Sequence, residues 1–204
     1  SITIVNNDII PARVTLRFFQ RNSGLTTTRV WTPSMQDNAP IDNVEIKAGA
    51  SFTWRTTGSD PFAQGWAEVQ ASGRVSGFAV FQQRVPGRSD QEAAVPVNAG
   101  AQQHFLLPFD NTDRFATTMA LANFSTTDNA TINVVFRDSQ NAFVSSAQIT
   151  LPARGHDAFS LFERFPALKG LRGVAEFTAL SGQITPLGLR FSDIAFTSFR
   201  TQVF

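Results

Sequence analysis

The sequence predicts an all-β protein built as two tandem antiparallel β-sandwich domains related by internal duplication, residues 1–97 and 98–204. Three observations carry this. Apolar residues recur with a period of two almost everywhere and with helical spacing almost nowhere. Clusters of Gly, Pro, Asn, Asp and Ser punctuate the chain at about 8–12-residue intervals, the spacing of sandwiches and barrels. Four sequence blocks recur in the same order in the two halves.

The elements follow in chain order. Val14, Leu16 and Phe18 alternate with Thr15 and Arg17, which puts one apolar face on a strand. Ile132, Val134 and Phe136 repeat the pattern around Asn133 and Val135. Short apolar runs at 78–81, 105–109, 149–151, 174–177 and 187–191 predict further strands. Turn signals separate them at Arg21-Asn22-Ser23-Gly24, Gly58-Ser59-Asp60-Pro61 and Val85-Pro86-Gly87, where Gly and Pro supply the φ values a reversal needs. The one helical turn expected is Ser160-Leu161-Phe162-Glu163-Arg164, ahead of Phe165-Pro166.

The repeat aligns Ala67-Glu68-Val69-Gln70-Ala71 with Ala175-Glu176-Phe177-Thr178-Ala179, each followed by Ser-Gly, with Leu180 inserted before it in the second copy. Further back, Ala12-Arg13-Val14-Thr15-Leu16-Arg17-Phe18 matches Ala130-Thr131-Ile132-Asn133-Val134-Val135-Phe136, and Ile2-Thr3-Ile4-Val5-Asn6 matches Met119-Ala120-Leu121-Ala122-Asn123. A third match sets Gly49 and Phe52 against Gly155 and Phe159, and Pro61 with Gly65 against Pro166 with Gly170. The boundary is expected near Val97-Asn98-Ala99-Gly100.

Two departures from the repeat are informative. Phe18 and Gly49 lie 31 positions apart where Phe136 and Gly155 lie 19 apart, so about a dozen residues are added around 27–43, Trp31 among them. This insert is either a functional loop on a rigid scaffold or packing material over the neighbouring domain. The second half also opens with Phe105-Leu106-Leu107-Pro108-Phe109 before its Met119 block, whereas the first begins one residue ahead of Ile2. The first domain therefore lacks an opening strand, and its sheet is left with unpaired backbone groups that another chain can fill by strand addition. The alternative is a six-stranded sandwich whose own loop covers the edge.

Composition narrows the function classes. The chain carries 17 basic and 16 acidic side chains for a net charge of +1, so it shows neither the basic footprint of a nucleic-acid binder nor an 18-residue apolar span for a membrane. Zero Cys excludes disulfides, thiol nucleophiles and thiolate metal sites, and the absence of Tyr alongside twenty Phe leaves an aromatic core with no phenol to satisfy. His104 and His156 stand apart, without a nucleophile elbow or a phosphate-binding loop. Asp110, Asn111 and Asp113 lack the closing Glu of a calcium loop and read as turn residues. Glu68 and Glu176, at one repeat position, read as partners of a core-edge Arg. No catalytic residue, cofactor or metal is expected. Asn123-Phe124-Ser125 and Asn129-Ala130-Thr131 fit the glycosylation pattern, which makes Asn123 and Asn129 candidate acceptors. Ser1 rather than Met at the start reads either as export followed by cleavage, the favoured reading, or as a start inside a longer chain.

The stretches Leu106-Leu107-Pro108-Phe109-Asp110-Asn111, Leu151-Pro152-Ala153-Arg154-Gly155-His156, Arg164-Phe165-Pro166-Ala167-Leu168-Lys169-Gly170 and Leu187-Gly188-Leu189-Arg190-Phe191 resemble the immunoglobulin-like β-sandwich repeats of secreted bacterial surface and fibre proteins. The resemblance covers 105–200 well and 1–97 more faintly. It implies exported, non-enzymatic modules and no catalytic residue to carry over. With the missing strand, the expectation is a structural subunit of an extracellular fibre or pilus-like filament, a helical homopolymer assembled head to tail by inter-subunit strand addition. The alternative is a cell-surface adhesin or carbohydrate-binding module pair using Trp31, Trp54 and Trp66. The expected donor is the C-terminal run 195–204, with Phe196, Phe199, Val203 and Phe204 as contacts, or the N-terminal run carrying Ile2 and Ile4, with Trp31 at the same interface.

Overall fold

Wherever apolar and polar side chains alternate, the chain forms strand. The structure, a computed structural model, describes residues 1–204 except 84–86, 88, 98–99, 193–194, 200 and 204 and the side chains of 202 and 203. The first half holds β1 (Ile2–Asn6), β2 (Ala12–Arg21), β3 (Thr28–Trp31), β4 (Val44–Ile46), β5 (Ser51–Trp54), β6 (Gly65–Ala71), β7 (Val75–Gln83) and β8 (Gln91–Pro96). The second holds β9 (His104–Asp110), β10 (Ala116–Asn123), β11 (Ala130–Asp138), β12 (Phe143–Leu151), β13 (His156–Ser160), β14 (Arg172–Ser181), β15 (Ile184–Phe191), β16 (Phe196–Phe199) and β17 (Gln202–Val203). The expected helical turn is α1 (Leu161–Arg164), which Pro166 at the head of a 3-10 turn brings to a close. The domain boundary falls partly on residues 98–99, outside the described residues, as does most of the turn at Val85-Pro86-Gly87.

Four antiparallel sheets result. In the first half, β5-β1-β7-β8 faces a sheet in which β2 pairs β3 and β4 along one flank and β6 along the other. In the second, β13-β10-β15-β16 faces β12-β11-β14-β9-β17. Every named ladder joins strands of the same half.

Registers show the duplication at single-residue level. Val14, Leu16 and Phe18 stand opposite Ala71, Val69 and Ala67, as Ile132, Val134 and Phe136 stand opposite Ala179, Phe177 and Ala175. Asn6 and Asn123 are both fully buried and do one job. Asn6 Nδ2 donates to the carbonyls of Ile10 (2.7 Å) and Ile46 (3.0 Å), and Asn123 Nδ2 to those of Asp128 (2.7 Å) and Pro152 (3.0 Å). Each amide thereby satisfies buried backbone carbonyls where the chain turns between sheets.

Two blocks of the repeat shift. The Asn6 amide donates to Ala50 O and the Asn123 amide to Gly155 O, so Gly49 corresponds to Arg154, both left-handed at φ 67° and 59°, and Trp54, opposite Ile2, corresponds to Phe159, opposite Met119. The match of Gly49 with Gly155 and of Phe52 with Phe159 is off because the turn needs a positive φ one residue earlier than the second glycine. Likewise Gly65 corresponds to Gly173, not Gly170. A Cβ on either would lie 1.9 Å from a carbonyl of the adjacent strand, Phe19 O or Arg137 O, so only glycine fits.

The insert at 27–43 packs mainly on its own sandwich, and only its first residues reach the second, where Thr28 Oγ1 donates to Arg154 O. Met35, Ala39 and Ile41 join the first core, Trp54 Nε1 donates to Pro40 O (2.7 Å), and Leu16 N donates to Ile41 O. It runs along the β3 and β4 flank of β2, opposite β6.

Candidate functional site

The flank of β6 that faces away from β2 is the place where the two sandwiches differ most. Arg21 N donates to Gln64 O and Ser72 N to Arg13 O. Because ladder bonds alternate, the backbone groups of Gly65, Ala67, Val69 and Ala71 point away from β2. Among the described residues no strand pairs with them. In the second sandwich the equivalent flank of β14 is filled by β9, with Phe105, Leu107 and Phe109 opposite Phe177, Ala175 and Gly173.

Burial follows the strand. Phe105, Leu107 and Phe109 are buried, and beneath them Phe136, Ala175 and Phe177 are each 0% exposed. Their counterparts Phe18 and Val69 are only half-buried and Ala67 is exposed. Phe81, on the same face of β7 as Ala79, is 51% exposed. An apolar trough thus lies beside an unpaired edge, the pairing that strand addition uses.

The second sandwich grips the first on the outer face of the same strand. Arg154, at the turn between β12 and β13, lays its guanidinium 4.9 Å from the Phe19 ring centroid and 5.8 Å from that of Trp66, which stack on each other at 4.4 Å. Its Nη1 bonds Glu68 Oε2 at 3.1 Å, while its carbonyl accepts from Trp66 Nε1 (3.1 Å) and Thr28 Oγ1 (2.7 Å). Beside it the buried Asp157 carboxylate is held by Arg21 of the first sandwich at 3.1 Å and by Arg164 of its own. Ser198 of β16 donates to Ala94 O of β8.

His156 lies in this junction, 4% exposed. Burial first, and then the Arg21 charge, lower its imidazole to about 4 against the opposing pull of Asp157. Its Nδ1 has no hydrogen-bond partner among the described residues.

The expected interface residues separate on inspection. Ile2 and Ile4 lie in β1, an interior strand paired with β5 and β7, and Ile4 is fully buried; they belong to the core and are not a donor. Phe196 and Phe199 bound β16, which pairs with β15 in the second sandwich's own sheet, with Phe196 stacked on Phe191 at 5.5 Å and Phe199 packed against the core. Val203 pairs with Phe105 in β17, its side chain outside the described residues, and Phe204 lies outside them too. Trp31 sits edge-on to Phe18 at 6.4 Å, on the β3 flank away from the open edge.

The glycan reading at Asn123 fails because the nitrogen that would carry the sugar is buried and committed to carbonyls. Asn129 is exposed, its Oδ1 accepting from Ala153 N at 3.3 Å. Asp110 Oδ1 accepts from the Thr112 hydroxyl (2.6 Å) and amide (3.1 Å), 3.6 Å from Arg172, an Asx turn tied to an Arg. Glu68 does pair with an Arg, but across the junction; Glu176 is exposed, with no ion pair among the described residues. Among the described residues no helix is long and apolar enough to cross a membrane.

The sequence did not disclose the junction. Arg154, Phe19 and Trp66 carry no pattern of their own, and the sole signal is that Phe19 and Trp66 replace Arg137 and Val174 at repeat-equivalent outer positions. No family model, curated protein or solved structure matches the chain.

Proposed function

We propose that the chain is a structural, non-catalytic subunit of an extracellular fibre, joined to its neighbours by β-strand addition to the open flank of β6. The observation that carries the reading is the contrast between β6, paired on one side, and β14, paired on both. A contact between unlike surfaces that does not close on itself propagates as a filament. Of the two expected donors, the N-terminal run is spent inside a sheet, and 196–199 is spent in β16. Gln202–Val203 is also paired, but only as a two-residue strand on β9, so it is the segment that exchange between subunits costs least. The carbohydrate-binding reading wants coplanar exposed aromatics, whereas Trp54 is buried, Trp66 is engaged by Arg154 and Trp31 is turned against Phe18.

The test is assembly. Concentrated parent protein is expected to form filaments in negative stain. Ala67→Lys, which places a charge on the inner face of the edge, is expected to leave a folded monomer, and so is removal of residues 201–204. A parent that stays monomeric at high concentration, or two variants whose filaments match the parent's, would sink the proposal.

A further inference from the structure

We infer that the open flank of β6 is a size-selective acceptor for an extended peptide strand, antiparallel to β6, with a bulky aromatic opposite Val69, a side chain smaller than Leu opposite Ala67 and a third apolar residue opposite Gly65. This deepens the assembly reading and rests on the same open edge. The occupant is defined by what fills the equivalent place in the second sandwich. There β9 runs antiparallel to β14 and sets Phe105, Leu107 and Phe109 opposite Phe177, Ala175 and Gly173, the counterparts of Val69, Ala67 and Gly65.

Each position differs in a readable way. At the first, Phe105 stacks on Phe177 with ring centroids 4.9 Å apart and planes at 9°. Val69 replaces Phe177 and frees a ring's worth of space, so the incoming side chain there is the largest.

At the second, Leu107 Cδ1 lies only 2.6 Å from where a Cβ on Gly188 would stand. Gly188 pairs with Met119 as Ala79 pairs with Ile2, so the first sandwich carries that methyl. Val95, opposite Ala79 as Phe199 is opposite Gly188, is short enough to accommodate the methyl on the β8 side. On the strand side it stands in the way of a leucine. The atom met is the end of a side chain, so a leucine there must repack rather than be barred outright, and the cost of repacking a close-packed interior favours a shorter middle side chain such as Ala, Ser, Thr or Val.

At the third, Gly65 offers bare backbone as Gly173 does, and Phe18 stands where Phe136 meets Phe109 edge-on at 6.4 Å. The half-burial of Phe18 is what a missing partner leaves.

The experiment uses the whole chain and two synthetic peptides spanning residues 103–111, one with the natural sequence and one carrying Leu107→Ala. Amide hydrogen exchange is read at Ala67 and Val69, whose N–H groups face the open side, and at Ala175 and Phe177 as internal controls. The Leu107→Ala peptide is expected to slow exchange at Ala67 and Val69 at least tenfold at saturation while leaving the controls unchanged. The natural peptide is expected to bind several-fold more weakly, and the protein variant Ala79→Gly to bring it level. Protection by neither peptide overturns the site, and equal binding of both to the parent protein overturns the size rule. Amides already protected in the free chain overturn the open edge itself, since the second sandwich would then cover it. Peptide protection in a protein that never polymerises upholds the acceptor and removes the fibre. Filaments that form undisturbed by saturating peptide place their contact elsewhere and overturn this assignment.

Discussion

The two sandwiches share a plan and differ in closure. Among the described residues, sixteen buried side chains make up the core cluster of the second and five that of the first. The repeat-equivalent core positions of β2 and β11 are alike in type. The largest share of the difference comes from β9, which brings Phe105, Leu107 and Phe109 and also covers Phe136, Ala175 and Phe177, while Leu161 of α1 and Leu168 of the 3-10 turn add to it. A strand at the flank of a sheet therefore counts twice, once for its own side chains and once for those it dries. The first sandwich has kept apolar residues at positions that its own strands leave open.

Truncation breaks the comparison most sharply. Phe136→Ala removes a fully buried ring and is expected to cost about 3–5 kcal/mol in urea unfolding, whereas Phe18→Ala, at the half-buried equivalent, should cost about 2 kcal/mol or less. Equal losses would mean that something already fills the trough beside Phe18.

The next effect is one of pH. His156 corresponds to Ser51 of the first sandwich, which does not titrate. Folding lowers the His156 pKa from 6.5 to about 4, so between those values the unfolded chain binds a proton that the folded one refuses, and stability rises with pH across that window. On acidification from pH 7 to 4, the loss assigned to this residue should reach about 3 kcal/mol. Stability curves for His156→Ser should be flatter over that interval, whatever its baseline, and an unchanged slope would assign the proton uptake to another group.

The smallest effect belongs to the junction. A double-mutant cycle between Glu68→Gln and Arg154→Asn, the second keeping a residue that tolerates positive φ, should give a coupling of about 1 kcal/mol. A coupling within error of zero would leave the aromatic stack on Phe19 and Trp66 as the element that holds the two halves.

Much of the fold was legible because its signals are local and periodic. The alternation at Val14, Leu16 and Phe18 needs only the pleat of one strand, and the block Ala67 to Ala71 is recognisable because Ala175 to Ala179 repeats it. The missing strand was legible for the same reason, as a gap in an alignment. What was hidden depends on pairing across long separations. The shift that sets Trp54 against Phe159 follows from where a positive φ falls, at Gly49 in one half and at Arg154 in the other. Asn123 matches a surface motif but is core, since besides the nearby Asp128 it is held by Pro152 O and Gln183 N from other parts of the chain. The donor residues Ile2 and Ile4 were misplaced because an apolar terminal run looks the same whether it is free or sits between two partners.

The Arg154 turn has a directional consequence. Its equivalent in the first sandwich is Gly49, which has no side chain with which to hold anything. The aromatic saddle that receives it, Phe19 and Trp66, has become Arg137 and Val174 in the second. The hook exists on one copy and the eye on the other, so this clasp joins the two halves once and offers neither a hook in front nor an eye behind for a third. Any longer array built from this chain must count in pairs, with one kind of joint inside each pair and a different kind between them.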